Sequence, residues 1–261
     1  MILSKPTMNI PFLTDNIPWL TAEQMIEVDR AMMEDYRIDL VRMMENAGRN
    51  LAHLARARFL DDDPRGKRVV VLAGTGGNGG GALVCARRLS NYGAQVQVVV
   101  TKPDAEFTPV AGQQLAILRR MGVPVGLDTP PATRPTLDTP PAARPALIID
   151  GIIGYSLKGA PRGAAAELIR WANASGAPIL ALDAPSGVDT TTGAVFDPAI
   201  QATATMTLAL PKEGLRAPGV AAQVGELYLA DISVPPALYA RPALELRVGP
   251  IFAQSDIVRL A

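Results

Sequence analysis

The stretch Val69-Val-Val-Leu-Ala73, followed directly by Gly74-Thr-Gly-Gly-Asn-Gly-Gly-Gly81, decides the fold of this chain. The first part is a short, continuous apolar run of the kind that forms a strand buried on both faces. The second part is a glycine-rich loop, and the apolar residues after it predict a helix from about residue 82 to residue 91. A buried strand, a glycine-rich loop and a helix in this order are typical of a parallel α/β sheet.

The same alternation continues on both sides of this unit. On the N-terminal side, Thr21 and Gln24 have the spacing of a capping box, and Asp39 can cap a second helix. On the C-terminal side, helices are predicted after Thr108 and over 164–174, and strands are predicted at the following positions: 96–100, 146–150, 178–183, 203–210 and 225–232. We therefore predict a Rossmann-like, doubly wound α/β fold, a three-layer α/β/α sandwich with a mostly parallel sheet and an N-terminal helical extension.

The chain is predicted to contain a single α/β domain. Residues 1–20 are assigned to an N-terminal extension, 21–245 to the domain and 246–261 to a C-terminal tail. Within the domain, residues 127–136 are almost repeated by 137–146, and both copies are rich in proline. A duplication that lengthened a surface loop explains this repeat, since loop closure tolerates added length at little cost in entropy. The alternative is a proline-rich ligand for a partner domain.

The composition of the chain excludes several classes of site. Its 261 residues include one His, His53, and one Cys, Cys85, which excludes a disulfide framework, zinc fingers and any metal site that needs two histidines. Lys and Arg number 25, Asp and Glu also number 25, and 5% of residues are aromatic, so no nucleic-acid partner is expected. No apolar run approaches the roughly 20 residues that span a bilayer. We expect a cytoplasmic protein with no membrane partner.

Three strand ends carry residues suited to chemistry, and ligands of doubly wound sheets bind at such ends. The first is the glycine-rich loop, whose backbone N–H groups can cradle a phosphate, although a purely structural turn is the alternative. Asp150 ends one strand and Asp183 ends the next, and Ser186 follows Asp183 closely. Two carboxylates and the amide of Asn78 in one crevice suit a monovalent cation, a ribose or a general acid/base pair. A turn residue is the alternative for an aspartate at a strand end.

These residues give little support to two other functions, a dehydrogenase and an enzyme with a serine nucleophile. A dehydrogenase is disfavoured, because the acid expected after the second strand is replaced by Thr101 and Lys102. A serine nucleophile at Ser186 is disfavoured, because Ala184 and Val188 stand where the nucleophile elbow needs glycine. Lys212 follows a strand and a proline, so a substrate-facing role is a further hypothesis.

From about residue 21 to residue 235, the chain resembles the NAD(P)H-hydrate epimerases, the YjeF N-terminal-domain family. The resemblance depends on five motifs occurring in order, each of them weak alone: Met44-Glu-Asn-Ala-Gly48, the Gly-Asn-Gly-Gly loop at 77–80, Asp150 with the loop 154–159, Asp183-Ala-Pro-Ser-Gly-Val-Asp189, and Ala209-Leu-Pro-Lys-Glu-Gly-Leu215.

This resemblance implies an epimerase that interconverts the R and S forms of hydrated NADH and NADPH (NADHX and NADPHX) as metabolite repair. By position, a potassium ion (K+) would be bound by Asn78, Asp150 and Ser186. The substrate would meet two loops and Asp183, and the loop residues are Gly77, Asn78, Gly79, Gly80, Gly81, Gly154, Tyr155, Ser156, Leu157, Lys158, Gly159 and Ala160. We hypothesise that Asp183 is the catalytic acid/base. A homodimer and a separate NAD(P)HX dehydratase are the expected partners.

The chain departs from the family pattern at two places. The family loop usually reads Asn-Asn-Gly-Gly-Asp-Gly, whereas residues 77–82 read Gly-Asn-Gly-Gly-Gly-Ala, so Gly81 replaces an acid. Tyr155 and Ser156 also stand where Thr-Gly is more usual. These departures leave open an alternative function, a catalytically inactive dinucleotide-binding or dimerisation scaffold, since the same fold serves as a non-catalytic scaffold in an RNA-decapping enhancer and in a secreted apolipoprotein-binding protein.

Overall fold

A computed structural model describes residues 10–14, 16–127 and 144–260 of the chain. Its strands are β1 Phe12–Leu13, β2 Arg68–Ala73, β3 Gln95–Val100, β4 Val125–Leu127, β5 Leu147–Gly151, β6 Ile179–Leu182, β7 Ala204–Leu208, β8 Glu226–Ala230 and β9 Ile257–Leu260. Its α-helices are α1 Ala22–Glu34, α2 Leu40–Phe59, α3 Gly77–Asn91, α4 Pro109–Arg120, α5 Gly163–Ala174, α6 Ala221–Val224 and α7 Pro236–Tyr239. Short 3-10 turns cover Asp104–Glu106 and Glu213–Arg216.

The described strands form one sheet in the order β1-β9-β8-β7-β6-β5-β2-β3-β4. Every neighbouring pair is parallel except β8 and β9, which are antiparallel. From β2 the chain winds outward through β3 to β4, and from β5 it winds the other way through β6 to β8. The winding therefore reverses between β2 and β5, and such a switch point leaves a crevice at the carboxyl ends of the strands.

The two faces of the sheet bury different helices, because side chains alternate along each strand. On one face, Val69 and Val71 of β2 pack in a core with α2, α3 and α4. On the other face, Val70 and Leu72 pack with α5 through Leu168 and neighbouring residues. The chain is thus the predicted α/β/α sandwich with a mostly parallel sheet, and the expected fold class is confirmed.

The N-terminal helices begin where the sequence predicts. The Thr21 hydroxyl accepts a hydrogen bond from the Gln24 N–H at 3.2 Å, and the Gln24 side chain accepts one from the Thr21 N–H at 2.9 Å. The Asp39 carboxylate likewise accepts from the Arg42 N–H at 3.0 Å. These side chains satisfy backbone donors that the first turn of a helix leaves unpaired.

The predicted start of α3 is wrong by five residues. The helix begins at Gly77 and not at residue 82, so most of the glycine-rich stretch is helical. Glycine has a low helix propensity, which argued for a loop. Close packing overrides that propensity here, since a Cβ atom added at Gly79 would lie 1.9 Å from the Gly74 carbonyl oxygen. Only a residue without a side chain permits this approach.

Three short strands were not predicted, namely β1, β4 and β9. Two of them lie in the segments assigned to the extension and the tail, where β1 pairs with β9 and β9 pairs with β8. The division of the chain into extension, domain and tail stays a prediction. Most of the proline-rich repeat lies outside the described residues. None of the described helices is both long enough and apolar enough to span a bilayer.

The packing of α3 predicts unequal effects for two neighbouring glycines. Gly79→Ala should lower the free energy of unfolding by about 3 kcal/mol, the upper end of overpacking, because the obstructing atom belongs to the backbone. Gly77→Ala is the matched control, since a Cβ atom at Gly77 meets no atom within 4 Å. Urea unfolding of both variants measures the difference, and equal stabilities would contradict the packing described here.

Candidate active site

The crevice between β2 and β5 gathers residues from three strand ends. The glycine turn after β2 and the segment after β5 are packed on each other, because a Cβ atom at Gly74 would lie 2.0 Å from the Ile152 carbonyl oxygen. Asn78 lies in the first turn of α3, directly above this contact. Its side-chain nitrogen and oxygen are both buried and have no hydrogen-bond partner among the described residues. Buried polar atoms are normally paired, so this amide indicates a ligand or ion that the fold leaves room for.

Asp150 and Ser186 form a buried hydrogen-bonded pair at the ends of β5 and β6. The Ser186 hydroxyl donates to the Asp150 carboxylate at 2.7 Å, and the Ser186 N–H donates to the other carboxylate oxygen at 2.8 Å. The Ile152 N–H adds a third bond at 3.2 Å. Burial raises the pKa of Asp150 to about 6, although these hydrogen bonds oppose the rise. A buried carboxylate and hydroxyl supply oxygen atoms of the type that hard cations bind.

Asp183 follows β6 and forms the most deeply buried ion pair in the described part of the chain. Its φ angle of 65° lies in the left-handed region, which aspartate tolerates better than most residues because its short polar side chain can bond locally. The Lys212 ammonium donates to one carboxylate oxygen at 2.5 Å, and Lys212 has no exposed side-chain surface. The same ammonium donates to the Leu208 carbonyl at 2.8 Å and to the Thr207 hydroxyl at 3.3 Å. All three donors of this ammonium are therefore used, which fixes the position of Asp183.

Tyr155 contacts two carboxylates at once. Its backbone N–H donates to Asp183 at 3.2 Å, and its hydroxyl donates to Asp29 of α1 at 2.5 Å. Burial raises the pKa of Asp29, and the Tyr155 hydrogen bond and the Lys212 charge oppose the rise. Burial and the charge of Asp29 also raise the pKa of Tyr155. The Tyr155 hydroxyl therefore keeps its proton at neutral pH and is the donor in this contact.

Asn78, Asp183, Tyr155 and Asp29 open on one cavity of about 270 Å³, whereas Asp150 and Ser186 are absent from its lining. Its polar lining is grouped at the strand ends and at α1: Asp29, Gly77, Asn78, Gly154, Tyr155, Ser156 and Asp183. Its apolar lining comes from α1, α2 and the ends of β6, β7 and β8: Met25, Met33, Leu40, Met43, Met44, Ala47, Leu182, Leu208 and Ile232. An apolar cavity with a few converging polar groups is the usual form of a small-molecule site.

The structure brings some of the expected site residues together and separates others from the cavity. Six of the expected substrate residues line it: Gly77, Asn78, Gly154, Tyr155, Ser156 and Asp183. The remaining seven are absent from its lining: Gly79, Gly80, Gly81, Leu157, Lys158, Gly159 and Ala160. Gly79, Gly80 and Gly81 are buried in α3 and pack against neighbouring chain segments. The expected roles in substrate and potassium binding stay predictions.

Two residues of this arrangement were not assigned correctly from the sequence. The hypothesis of a substrate-facing Lys212 finds no support, because Lys212 is fully buried against Asp183 and does not line the cavity. Its position after a strand and a proline was the only local signal. Asp29 was missed altogether, because an acidic residue on an amphipathic helix is ordinarily read as part of the solvent face. Only the folded chain shows that the Tyr155 hydroxyl donates a hydrogen bond to Asp29.

Comparison with known proteins gives relatives that match nearly the whole chain. An NAD(P)H-hydrate epimerase of Dehalogenimonas lykanthroporepellens is 41% identical over 92% of this chain and 92% of its own length. An NAD(P)H-hydrate epimerase of Rhodopirellula baltica is 31% identical over 90% of this chain and 89% of its own. A bifunctional NAD(P)H-hydrate repair enzyme of Moorella thermoacetica is 35% identical, and this chain spans 41% of that protein's length.

A solved structure and a family profile agree with these relatives. The crystal structure of the yeast protein ynu0 (YNL200c) superposes with a TM-score of 0.74 at 25% identity, covering 94% of this chain and 100% of the yeast chain. The profile of the family described as YjeF-related protein N-terminus matches residues 41–214, which include the glycine turn, Asp150, Asp183, Ser186 and Lys212. The chain therefore belongs to the YjeF-related protein N-terminus family.

Proposed function

We propose that this protein is an NAD(P)H-hydrate epimerase that interconverts the R and S forms of hydrated NADH and NADPH. The observation that carries the proposal is the position of Asp183, which is held by Lys212 and opens on the cavity beside Asn78 and Gly154. A Cβ atom added at Gly154 would lie 3.2 Å from both the Asn78 side-chain oxygen and an Asp183 carboxylate oxygen. A substrate that enters the cavity at Gly154 therefore meets both side chains. The names of the relatives support the same activity.

Epimerisation at C6 of the hydrated nicotinamide ring needs proton transfer more than a strong nucleophile. The C6–O bond breaks as the ring nitrogen supplies its electron pair, and the hydroxyl leaves as water after it receives a proton. Water then adds to the other face of the ring and loses a proton. Asp183 is placed to donate and accept such a proton. The methionine-rich wall of the cavity provides apolar contact for the ring.

The proposed potassium site consists of Asn78, Asp150 and Ser186, and these residues fit a hard monovalent cation. Asp150 and Ser186 present buried oxygen atoms, and the Asn78 amide has no protein partner among the described residues. When bound, the ion supplies positive charge to a carboxylate that is otherwise buried without a cationic partner. The Asp150–Ser186 contact orients these oxygen atoms, and the Ile153 N–H donates to the Ser186 hydroxyl at 2.9 Å.

The alternative, a catalytically inactive dinucleotide-binding or dimerisation scaffold, is supported only by the departures from the family pattern at Gly81 and at Tyr155-Ser156. At Gly81, where the family usually has an acid, an added Cβ atom would lie 2.8 Å from the Leu182 side chain and 3.7 Å from Ala47. Both of those residues line the cavity. The change at Gly81 thus remodels an apolar part of the wall and leaves Asn78, Asp150, Asp183 and their contacts in place.

The proposed function also includes a dehydratase partner, a homodimer and a cytoplasmic location. A relative named as a bifunctional NAD(P)H-hydrate repair enzyme supports an NAD(P)HX dehydratase as the functional partner. Exposed Ile26 and Met33 on α1 support the expected homodimer, since they offer an apolar surface beside the cavity. Cys85 is a buried free thiol, which is consistent with the proposed cytoplasmic location.

A coupled assay tests the proposed activity directly. A mixture of R- and S-NADHX is supplied with a dehydratase that consumes only the S form, and the remaining R form is followed over time. We expect this protein to accelerate consumption of the R form well above the spontaneous rate. Detectable dinucleotide binding without any acceleration would instead establish the inactive scaffold.

Replacement of Asp183 tests the proposed acid/base. Asp183→Asn should lower kcat by roughly 10²- to 10⁴-fold, the range that general acid/base catalysis supplies. The variant should also lose stability, by about 3–5 kcal/mol, because it leaves the buried Lys212 ammonium without its partner. The double variant Asp183→Asn/Lys212→Met removes that unpaired charge, so it should recover stability and remain inactive. Activity of Asp183→Asn near the wild-type rate would disprove the assignment.

Exchange of the salt tests the potassium site. We expect higher activity in potassium chloride than in tetramethylammonium chloride of equal ionic strength, and a melting temperature that rises with potassium concentration. Asn78→Ala should weaken both responses, whereas Asn91→Ala at the exposed end of the same helix should leave them unchanged. Identical potassium responses in the wild type and in Asn78→Ala would exclude Asn78 as a ligand.

A further inference from the structure

The cavity contains a second carboxyl group, Asp29, that the proposed function does not use. Asp29 lies on α1, on the helical side of the cavity, whereas Asp183 lies at the sheet edge. Tyr155 connects the two, since its backbone N–H binds Asp183 and its hydroxyl binds Asp29. Among the described residues, Tyr155 is the only hydrogen-bond partner of Asp29, and it occupies one of the two carboxylate oxygens. The other oxygen is left available to a ligand.

The surroundings of Asp29 differ from those of Asp183. Asp183 is ion-paired with Lys212 at 2.5 Å, whereas no cation lies within salt-bridge distance of Asp29 in the described part of the chain. The groups that act on Asp29 from the neighbouring elements are the Tyr155 hydroxyl and the charges of Lys212 and Asp183. On α7, burial and the charges of Asp231 and Asp29 raise the pKa of Tyr239. Two carboxyl groups in such different environments can hold different protonation states in one site, which is how paired acids divide their roles.

Inversion at C6 requires groups on both faces of the ring. The hydroxyl leaves from one face, and water must return to the other face for the configuration to change. A single carboxyl fixed by a buried ion pair cannot reach both faces of a bound ring. Two carboxyl groups on different walls of one cavity can serve the two faces separately.

We propose that Asp29, positioned by the Tyr155 hydroxyl, is the proton donor and acceptor for the face of the reacting ring that Asp183 does not serve. This inference rests on the proposed epimerase function. When the hydroxyl leaves from the Asp29 face, the Asp29 carboxyl gives its proton to that oxygen, the C6–O bond breaks, and the ring nitrogen supplies the balancing electron pair. Water then adds to the Asp183 face and gives its proton to Asp183. After this turnover Asp183 gives its proton to water and Asp29 takes one from water, so both groups return to their starting states and no net proton is consumed. The reverse reaction uses the two residues in the opposite order.

An isotope experiment separates this role from a structural one. Wild-type protein and the variants Asp29→Asn and Tyr155→Phe are supplied with each NADHX epimer in ¹⁸O-labelled water. Inversion and uptake of the label at C6 are measured separately, after subtraction of the spontaneous rates. Glu23→Gln is the matched control, because Glu23 is an exposed acid on the same helix.

We expect Asp29→Asn to lower kcat for inversion by about 100-fold or more, with KM changed by less than about threefold. Label uptake with retained configuration should persist for the epimer whose hydroxyl faces Asp183. Tyr155→Phe should lower inversion by about tenfold, and it should add little in the Asp29→Asn background because Tyr155 acts through Asp29. Glu23→Gln should behave as the wild type.

Two results would overturn the inference alone: inversion by Asp29→Asn within twofold of the wild type, or equal loss of inversion and label uptake. Absence of inversion by the wild type would overturn the proposed function and this inference together. Asp29→Asn should melt at or above the wild-type temperature at pH 7, because it removes a carboxylate that burial disfavours. If that variant fails to fold, Tyr155→Phe decides between the outcomes by the same comparison of inversion with label uptake.

Discussion

The contact of Gly79 with the carbonyl of Gly74, and of Gly74 with the carbonyl of Ile152, brings the ends of β2 and β5 within touching distance. A side chain at either glycine would separate the start of α3 from the segment that follows Asp150. The glycines therefore act first through packing, since they let a helix begin directly on top of a strand end. The side-chain amide of Asn78 is buried as a result, and neither of its polar atoms has a hydrogen-bond partner among the described residues.

The Lys212–Asp183 ion pair depends on segments that are distant in the chain. Leu20, before α1, donates its N–H to the Pro211 carbonyl at 2.8 Å and accepts from the Glu213 N–H at 2.9 Å. Lys212 is thus held between the entry to α1 and the end of β7, and its ammonium contacts Asp183. A buried ion pair contributes little net stability, so its value lies in fixing Asp183 in one position. The helix that carries Asp29 begins directly after the same Leu20 contact.

The architecture of the sheet could be predicted because local and global signals agree. The buried strands β2, β5 and β6 contain continuous apolar runs, β3 ends in one, and Thr21 and Asp39 cap helices with ordinary spacing. The start of α3 could not be predicted, because it depends on the close approach of Gly79 to the Gly74 carbonyl, which forms only in the folded chain. Strands β1 and β4 have too few residues to show a pattern, and Arg259 interrupts the apolar run of β9. Lys212 and Asp29 could not be placed, since each is defined by a partner far away in sequence.

Tyr155 holds its two carboxylates by chemically different means, and this difference has an evolutionary consequence. The bond to Asp183 comes from the backbone N–H, which every amino acid except proline provides. The bond to Asp29 comes from the phenol, which substitution removes at once. Mutation at this position can therefore alter the helical side of the cavity while the sheet side keeps its anchor. One residue thus separates a mutationally robust half of the pocket from an adaptable half.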